Sequence, residues 1–284
     1  MINNSIDQYR ADRRRHLGDG QTSVRRVKSA ARAIEILEFL GSRDSRPARL
    51  REICEALGAP RSSLYALLKT MVTLGWVRTD ASGTFYGIGI RALLIGTNYL
   101  DSDAFLPIVR RALEMLNAEL DETFHFARLD GTDVVYLATQ ESSQYLRPFS
   151  RVGRRLPAYC TALGKAILAG LDGAELEAHL PATLVPLTPY TITSRPELDA
   201  ALAEARSSGV AADFQENSLG LKCFAVTLPY TSPAIDAISV SVPLARLTDE
   251  TERAVVAALR RAGETIVKEA RTIGDFAWPS RSRS

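Results

Sequence analysis

The chain has 284 residues, of which 46% are hydrophobic and 24% charged, and its formal net charge is +2. These values predict a globular protein with enough chain for two domains, and they exclude a mostly disordered protein. The sequence has no apolar run of the roughly 18 residues that cross a membrane, and it has no apolar secretory leader. We therefore expect a cytoplasmic protein without membrane contact. Because no CxxC pair occurs, we expect neither disulfides nor a metal site, and no cofactor.

Charge is distributed unevenly along the chain. Residues 1–92 contain 16 Lys and Arg against 9 Asp and Glu, whereas the remainder contains 19 against 24. A basic segment joined to an acidic one is expected when only the first binds a polyanion such as DNA. Residues 1–23, which include Arg13-Arg14-Arg15, are polar and show no periodicity. They are predicted to form a flexible basic arm or a solvated tail without a function.

Residues 24–90 contain three segments in which apolar residues recur at helical spacing. Gly41 is placed to end the first helix, and Gly58-Ala59-Pro60 separates the second from the third. Pro60 suits the first turn of the third helix, because its missing N–H has no intrahelical partner there. The predicted buried positions are Ala30, Ala33, Ile34, Leu37 and Leu40 in the first helix, Leu50, Ile53, Cys54 and Leu57 in the second, and Leu64, Leu67, Leu68 and Met71 in the third.

A β-hairpin is predicted directly after the third helix, from the extended runs WVRTD and TFYGI around the turn Ala81-Ser82-Gly83. The order helix, helix, short turn, helix, hairpin is that of a winged helix-turn-helix, in which the third helix enters the DNA major groove. The exposed face of this helix has no acidic residue. The predicted DNA-binding residues are Arg61, Ser62, Ser63, Tyr65 and Lys69 in the helix and Arg78 in the wing. The alternative is a small helical domain that contacts proteins.

The rest of the chain is typical of an α+β domain. Residues 91–103 are predicted to form a linker helix and residues 104–273 the second domain, followed by a tail over 274–284. The β-rich runs TFHFARL, TDVVYLATQ, LKCFAVTLPY and DAISVSVPL alternate with the helical segments TALGKAILAGL and ELDAALAEARSSG, and a last helix is predicted from about Thr248 to Ile273. A sheet covered by helices in this way can hold a ligand at its edge.

Signatures of catalysis are missing from the sequence. The three histidines, His16, His125 and His179, are not in a zinc-binding arrangement, and neither GxSxG nor SxxK occurs. His125 is predicted to be a half-buried strand residue. The enzyme alternative would need Cys160 or Cys223 as an activated nucleophile, with His125 as its base.

Several blocks along the chain resemble the IclR family of bacterial transcription regulators. VKSAARAIEILEFL and LREICEALGAPRSSLYALLKTMVTLGWVRTD resemble the DNA-binding half of that family. RVGRRLPAYCTALGKAILA resembles the start of its effector-binding core, and DFQENSLGLKCFAV with ISVSVPLARLT resembles its end. The resemblance covers about residues 24–272. It implies a GAF-like domain that binds a small carboxylic acid, double-stranded operator DNA as a partner, and a homodimer or homotetramer.

The resemblance also implies a set of effector-binding residues. Ser239 and Ser241 are two apart in a strand and face the same side, where their hydroxyls, with backbone N–H groups at the helix start near Thr161, can hold a carboxylate. Asp213 would accept from a ligand hydroxyl. The implied residues are Thr161, Ala162, Asp213, Leu221, Cys223, Ser239 and Ser241. Singly, each has an ordinary alternative: Cys223 is a small buried residue, the serines are a polar strand face, and Asp213 is a turn residue.

Two further features concern the operator and the effector. The family usually has His-Arg in the recognition helix where this chain has Tyr65-Ala66, so the operator of a relative cannot be transferred. YLRPFSRVGRRLPAYCTALGKAIL and PYTITSRPEL most resemble the branch that senses sugar acids such as 2-keto-3-deoxygluconate. Arg147, Arg151 and Arg154 would attract such an anion, or would pair with surface carboxylates. The predicted function is that of a nucleoid-associated repressor. Besides the enzyme alternative, the chain could be an interaction protein whose helix-turn-helix has lost DNA binding.

Overall fold

The computed structural model describes residues 27–43, 46–148 and 150–273. The chain divides into two compact units between Ser102 and Asp103. The predicted basic arm over 1–23 and the predicted tail over 274–284 lie outside the described residues.

The first unit is a winged helix-turn-helix, as the sequence predicts. Its elements are α1 (Lys28–Gly41), β1 (Ala48–Arg49), α2 (Leu50–Leu57), α3 (Arg61–Thr73), β2 (Val77–Thr79), β3 (Phe85–Ile88) and α4 (Ile90–Asp101). The predicted hairpin is the antiparallel pair of β2 and β3, and β1 adds a short third strand that the sequence analysis missed. Gly58 ends α2 in the left-handed region at φ +60°, and Pro60 stands immediately before α3 in an extended conformation.

The buried face of α1 differs from the prediction. Ile36, Phe39 and Leu40 are buried, whereas Ile34 is 57% exposed. Two overlapping apolar stripes run along this helix, and the stripe that contains Phe39 packs into the same core as Ile53. Both stripes repeat at three and four residues, so periodicity identifies the helix without choosing its buried face. In α2 and α3 the predicted face is largely right: Ile53, Leu64, Leu68 and Met71 are buried, and Leu50, Cys54, Leu57 and Leu67 are half-buried.

The second unit is a six-stranded antiparallel sheet with helices on both faces. Its elements are α5 (Leu106–Leu120), β4 (Thr123–Asp130), β5 (Asp133–Gln140), β6 (Arg155–Pro157), α6 (Ala162–Leu168), α7 (Gly173–Ala178), α8 (Arg195–Ser208), β7 (Ala211–Phe214), β8 (Leu221–Thr227), β9 (Asp236–Pro243) and α9 (Asp249–Ile273). The strand order is β6-β5-β4-β9-β8-β7. The strands β6 and β7 and the helix α7 are too short to show a period, so the sequence did not predict them.

Alternate residues along each strand face different helices. The helices α6 and α8 share a hydrophobic core with Ala127 of β4, Tyr136 of β5 and Ala225 of β8. On the other face, α9 approaches Val226, which lies 3.2 Å from a Cβ built on Gly263. The face toward α6 carries the polar residues described next.

Candidate functional site

The predicted recognition face lies on α3 and the wing. Arg61, Ser62, Tyr65, Lys69 and Arg78 are all exposed. The Lys69 ammonium lies 5.2 Å from the centre of the Tyr65 ring. An exposed surface that combines cations, hydroxyls and an aromatic ring suits contact with phosphates and base edges.

Ser63 differs from the other predicted DNA-binding residues, because it is only half-exposed and is already hydrogen-bonded. Its hydroxyl accepts a 3.0 Å hydrogen bond from Arg32 of α1. An open groove of about 540 Å³ runs between α1 and α3, and Lys28, Ser29 and Arg32 line its α1 side. These α1 residues were not predicted, although the basic start of α1 was visible in the sequence.

Asp80, the only acidic residue of the wing turn, accepts hydrogen bonds from other residues of that turn. The Asp80 carboxylate accepts hydrogen bonds of 2.8 Å from the backbone N–H groups of Thr84 and Phe85, and another from the Ser82 hydroxyl. The Phe85 N–H and then the Ser82 hydroxyl lower the pKa of Asp80 to about 2. These hydrogen bonds stabilise the turn, and Arg78 on the neighbouring strand β2 is exposed.

A cavity of about 240 Å³ lies in the second unit, on the sheet face covered by α6. All seven residues that the resemblance implies line this cavity: Thr161, Ala162, Asp213, Leu221, Cys223, Ser239 and Ser241. The structure thus brings together residues spread over about 80 positions of the sequence. Their role in binding an effector stays a prediction.

Strand register explains how these side chains meet. Asp213 of β7 is paired with Cys223 of β8, and Cys223 with Ser241 of β9. Ser239 of β9 is paired with His125 of β4. Directly paired residues point to the same side of a sheet, so two parallel rows of polar side chains face α6. The Cys223 thiol and the Ser241 hydroxyl are 3.2 Å apart.

The start of α6 packs closely against the backbone of the residues that precede it. A Cβ atom on Gly164 would lie 2.1 Å from the carbonyl oxygen of Ala158, so only glycine fits at this position. The Thr161 hydroxyl accepts a 3.1 Å hydrogen bond from the Gly164 N–H and caps the helix. The sequence predicts that N–H groups at this helix start bind a carboxylate. One of them, the Gly164 N–H, is already hydrogen-bonded to Thr161.

The prediction of a half-buried His125 is wrong, because its side chain is 3% exposed and lines the cavity. Its Nδ1 is 3.3 Å from the Thr139 hydroxyl, and its ring packs edge-on to Tyr136 at 5.1 Å. Burial, with the nearby positive charge of Arg154, lowers the pKa of His125 to about 3. The ring is therefore neutral at physiological pH.

Eight cavity residues besides His125 lie outside the implied set, and five of them are polar: Tyr136, Ser150, Arg154, Asn217 and Ser218. Of these five, the sequence pointed only to Arg154, as a residue that would attract an anion. The Ser150 hydroxyl is buried and has no hydrogen-bond partner within the part of the chain that the structure describes. A buried hydroxyl without a partner is costly unless a ligand or water completes it. Asn217 and Ser218 fall within the block DFQENSLGLKCFAV, and the resemblance of that block to the effector-binding core is the signal that could have identified them.

A cluster of buried charges adjoins Asp213. Lys165 of α6 and Glu216 form an ion pair whose side chains are only 4% and 6% exposed. The Glu216 N–H donates a 2.7 Å hydrogen bond to Asp213 Oδ1. Burial, and then the charge of Glu216, raise the pKa of Asp213 to about 7, against the opposing effect of Lys165. Asp213 is therefore balanced between its neutral and charged forms near neutral pH.

The two thiols near the cavity are poorly suited to nucleophilic catalysis. Burial is the main cause that raises the pKa values of both Cys160 and Cys223 to about 12. His125, with a pKa of about 3, is a weak base. Nucleophilic cysteines instead have lowered pKa values and an adjacent base. Among the described residues, no group of three or more His, Cys, Asp and Glu could hold a metal ion, and no helix is long and apolar enough to cross a membrane.

Comparison with known families shows matches along most of the chain. Residues 29–81 match the IclR helix-turn-helix domain, and residues 97–268 match the C-terminal domain of the bacterial transcriptional regulator IclR.

Curated relatives from Escherichia coli (strain K12) match over most of their own lengths. The transcriptional regulator XynR is 32% identical, with 78% of this chain and 89% of XynR covered. KdgR is 31% identical, covering 84% and 91%. The transcriptional repressor IclR is 31% identical, covering 79% and 83%.

A solved structure shares the fold. It is an IclR homologue from Microbacterium hydrocarbonoxydans, complexed with 4-hydroxybenzoate. The match has 23% identity and a TM-score of 0.72, and covers 86% of this chain and 99% of that one. At this identity the similarity supports the fold alone.

Proposed function

Because this chain belongs to the IclR family of bacterial transcriptional regulators, we propose that it is a repressor whose affinity for operator DNA is set by a small organic acid. The observation that carries the proposal is that the two units of this chain have different features, each suited to a different ligand. The first unit presents exposed cations on a winged helix-turn-helix, and the second encloses a polar cavity. The cavity's volume of about 240 Å³ suits a metabolite rather than a macromolecule.

The α3 helix and the wing are the proposed DNA contacts. Lys69 and Arg78 are exposed and suited to phosphates, while Arg61 and Tyr65 lie on the face that would meet base edges.

One recognition helix covers few base pairs, so we expect a homodimer or homotetramer on a pseudo-palindromic operator. A monomer by light scattering at micromolar concentration, both free and on DNA, would contradict this expectation.

The proposed effector is a small carboxylic acid that also carries hydroxyl groups. Ser239 and Ser241 supply hydroxyls to the cavity, and Arg154 supplies a positive charge. The relatives XynR and KdgR support the sugar-acid branch of the family. The homologue that shares this fold is complexed with 4-hydroxybenzoate, which is also a hydroxylated carboxylic acid.

A repressor acts on DNA in the cell, so we propose a cytoplasmic, nucleoid-associated location. The enzyme alternative is disfavoured, since the curated relatives reported above are named as transcriptional regulators and both candidate thiols have raised pKa values. The interaction-protein alternative differs from the proposal in a single property, which is DNA binding.

Gel-shift assays with DNA from the protein's own promoter test the proposal. The expected result is retarded DNA at micromolar protein, with a retardation that weakens as the salt concentration rises.

A thermal-shift screen of small organic acids then identifies a ligand, and that ligand should change the gel shift. A protein that neither shifts DNA nor is retained on heparin would be an interaction protein. DNA binding that no stabilising acid alters would contradict effector control.

A further inference from the structure

We propose that the groove between α1 and α3 holds the phosphate backbone of one DNA strand, with Lys28 and Arg32 as its cations and Ser63 as the residue that positions Arg32. The inference rests on the proposed DNA binding and adds a second line of phosphate contacts to it. It also changes the role of Ser63, which the sequence predicts as a direct DNA contact.

The composition of the groove suits an anionic chain. The groove has a volume of about 540 Å³ and is open to solvent. The residues that line it are Lys28, Ser29, Arg32, Ser63, Ala66, Leu67 and Thr70. Two of these seven are cations, three carry hydroxyl groups and none is acidic. Lys, Arg, Ser and Thr side chains are common donors to phosphate oxygens, so the charge of the groove favours a polyanion over a basic or an apolar segment.

Ser63 holds the Arg32 guanidinium at the groove. Arg32 donates a 3.0 Å hydrogen bond to the Ser63 hydroxyl. A guanidinium has five N–H groups in a planar fork, and this hydrogen bond uses one of them. Both residues are half-buried, whereas Lys28 is exposed. Because the long Arg32 side chain is already oriented, it should lose less conformational entropy when a phosphate binds.

The groove and the wing lie on opposite sides of α3. Burial raises the pKa of Tyr86 in β3, and the charges of Tyr65 and Lys69 also act on it, so these two residues lie on the side of α3 that faces the wing. Ser63 and Thr70 line the groove instead. At about 100° per residue, Tyr65 and Thr70 point about 140° apart around the helix.

This arrangement matches the two phosphate strands that border a major groove. An α-helix with its side chains is about 10–12 Å wide and the major groove of B-DNA is about 12 Å wide, so an inserted helix has one phosphate strand on each side. Arg78 lies in the wing, on β2, and Lys28 and Arg32 line the groove on the other side of α3. The cations of the wing and of α1 would thus contact opposite strands, with α3 fixed between them.

Ethylation interference on DNA from the protein's own promoter tests this placement. Ethylation removes the charge of a phosphate, so it weakens binding wherever the protein contacts that phosphate. With the wild-type protein we expect sensitive phosphates on both strands of each half-site. Lys28→Ala/Arg32→Ala should abolish the sensitivity on one strand, and Arg78→Ala should abolish it on the other. An identical pattern in the wild type and the double variant would overturn the proposal.

Salt dependence tests the two charges. Lys28→Ala/Arg32→Ala should lower the salt slope of DNA binding by about two units for each bound protomer. The affinities for promoter DNA and for an unrelated duplex should fall by the same factor, because phosphate contacts carry no sequence information. Arg32→Lys keeps the charge and should keep the slope. Arg253→Ala/Lys268→Ala removes two exposed cations from α9 and is the matched control, which should leave the slope unchanged.

A double-mutant cycle tests the positioning role of Ser63. Ser63→Ala should weaken DNA binding about two- to tenfold by releasing Arg32, and it should have little further effect when Arg32 is already alanine. Ser63→Thr retains the hydroxyl and should bind DNA as the wild type does. If Ser63→Ala weakens binding equally with and without Arg32, Ser63 contacts DNA itself and the positioning role is wrong.

Further readouts separate this inference from the proposed function. Lys28 is exposed, so Lys28→Ala alone should lower the slope by about one unit even if circular dichroism shows that the double variant is unfolded. A wild-type protein that does not shift DNA would overturn the proposed function and this inference together. Wild-type DNA binding with an unchanged slope in the α1 variants would overturn this inference alone. So would a changed oligomeric state with unchanged DNA contacts, which would assign the groove to an interface between copies of the chain.

Discussion

The recognition face of α3 and the cavity of the second unit use polar residues in opposite ways. On α3, Arg61, Tyr65 and Lys69 project into solvent from a helix whose other face is buried. In the cavity, His125 and Asp213 are buried, and burial is the main cause that lowers the pKa of His125 to about 3 and raises the pKa of Asp213 to about 7. The first surface acts through charges that water and salt screen, and the second through groups that have lost their water.

This difference predicts how each region responds to mutation. Removing an exposed charge alters binding of a polyanion by a modest and salt-dependent amount. Removing one partner of a buried pair leaves an uncompensated charge or an unsatisfied hydrogen bond, which is much more costly. The three predictions below test this contrast, beginning with the largest expected effect.

Lys165→Met should destabilise the second unit most. The substitution leaves Glu216 charged and buried, which is expected to lower the free energy of unfolding by about 3–5 kcal/mol. Urea denaturation followed by circular dichroism measures this change. In the double variant Lys165→Met/Glu216→Leu most of the lost stability should return, because both charges are gone.

The matched control lies in the first unit. Arg51 and Glu55 form an exposed ion pair on α2, so Arg51→Met should change stability little. If Lys165→Met is no more damaging than Arg51→Met, the contrast between the two regions does not hold.

Replacing both cavity serines should weaken effector binding by an intermediate amount. In Ser239→Ala/Ser241→Ala the ligand loses two hydroxyl partners, and the expected loss is about 1–3 kcal/mol of binding free energy. Calorimetry with the best acid from the thermal-shift screen measures it, and the melting temperature reports whether the fold is intact. Ser207→Ala on α8, an exposed serine outside the cavity, is the control. Equal affinity in the double variant and the wild type would show that the serines are only a polar strand face.

Removing single cations from the DNA face should have the smallest effect. Lys69→Ala and Arg78→Ala are each expected to weaken DNA binding across sequences and to lower the salt slope by about one unit. Gel shifts at several salt concentrations measure both quantities. Arg253→Ala removes an exposed positive charge from α9 of the second unit and should leave the slope unchanged. An unchanged slope in the first two variants would remove α3 and the wing from the DNA interface.

Local sequence patterns predicted most of the first unit. The three helices and the hairpin follow from helical periodicity, from the Gly58-Ala59-Pro60 turn and from two short extended runs. The exposed positions of α3 follow from the same periodicity, because a helix with one buried stripe must expose the opposite side. The buried stripe of α1 did not follow, since only packing against α2 and α3 selects Phe39 over Ile34.

For the second unit the sequence determined the longer helices and strands, the absence of familiar catalytic motifs and, through family resemblance, seven residues of the cavity. It could not show that His125 and Ser150 join them, or that Arg154, rather than Arg147 or Arg151, lines the same cavity, because strand pairing and loop placement bring together residues that are distant in the chain. Nor could it assign charge states. The pKa values of His125 and Asp213 depend on how completely the fold removes water from them, and only the tertiary structure decides that.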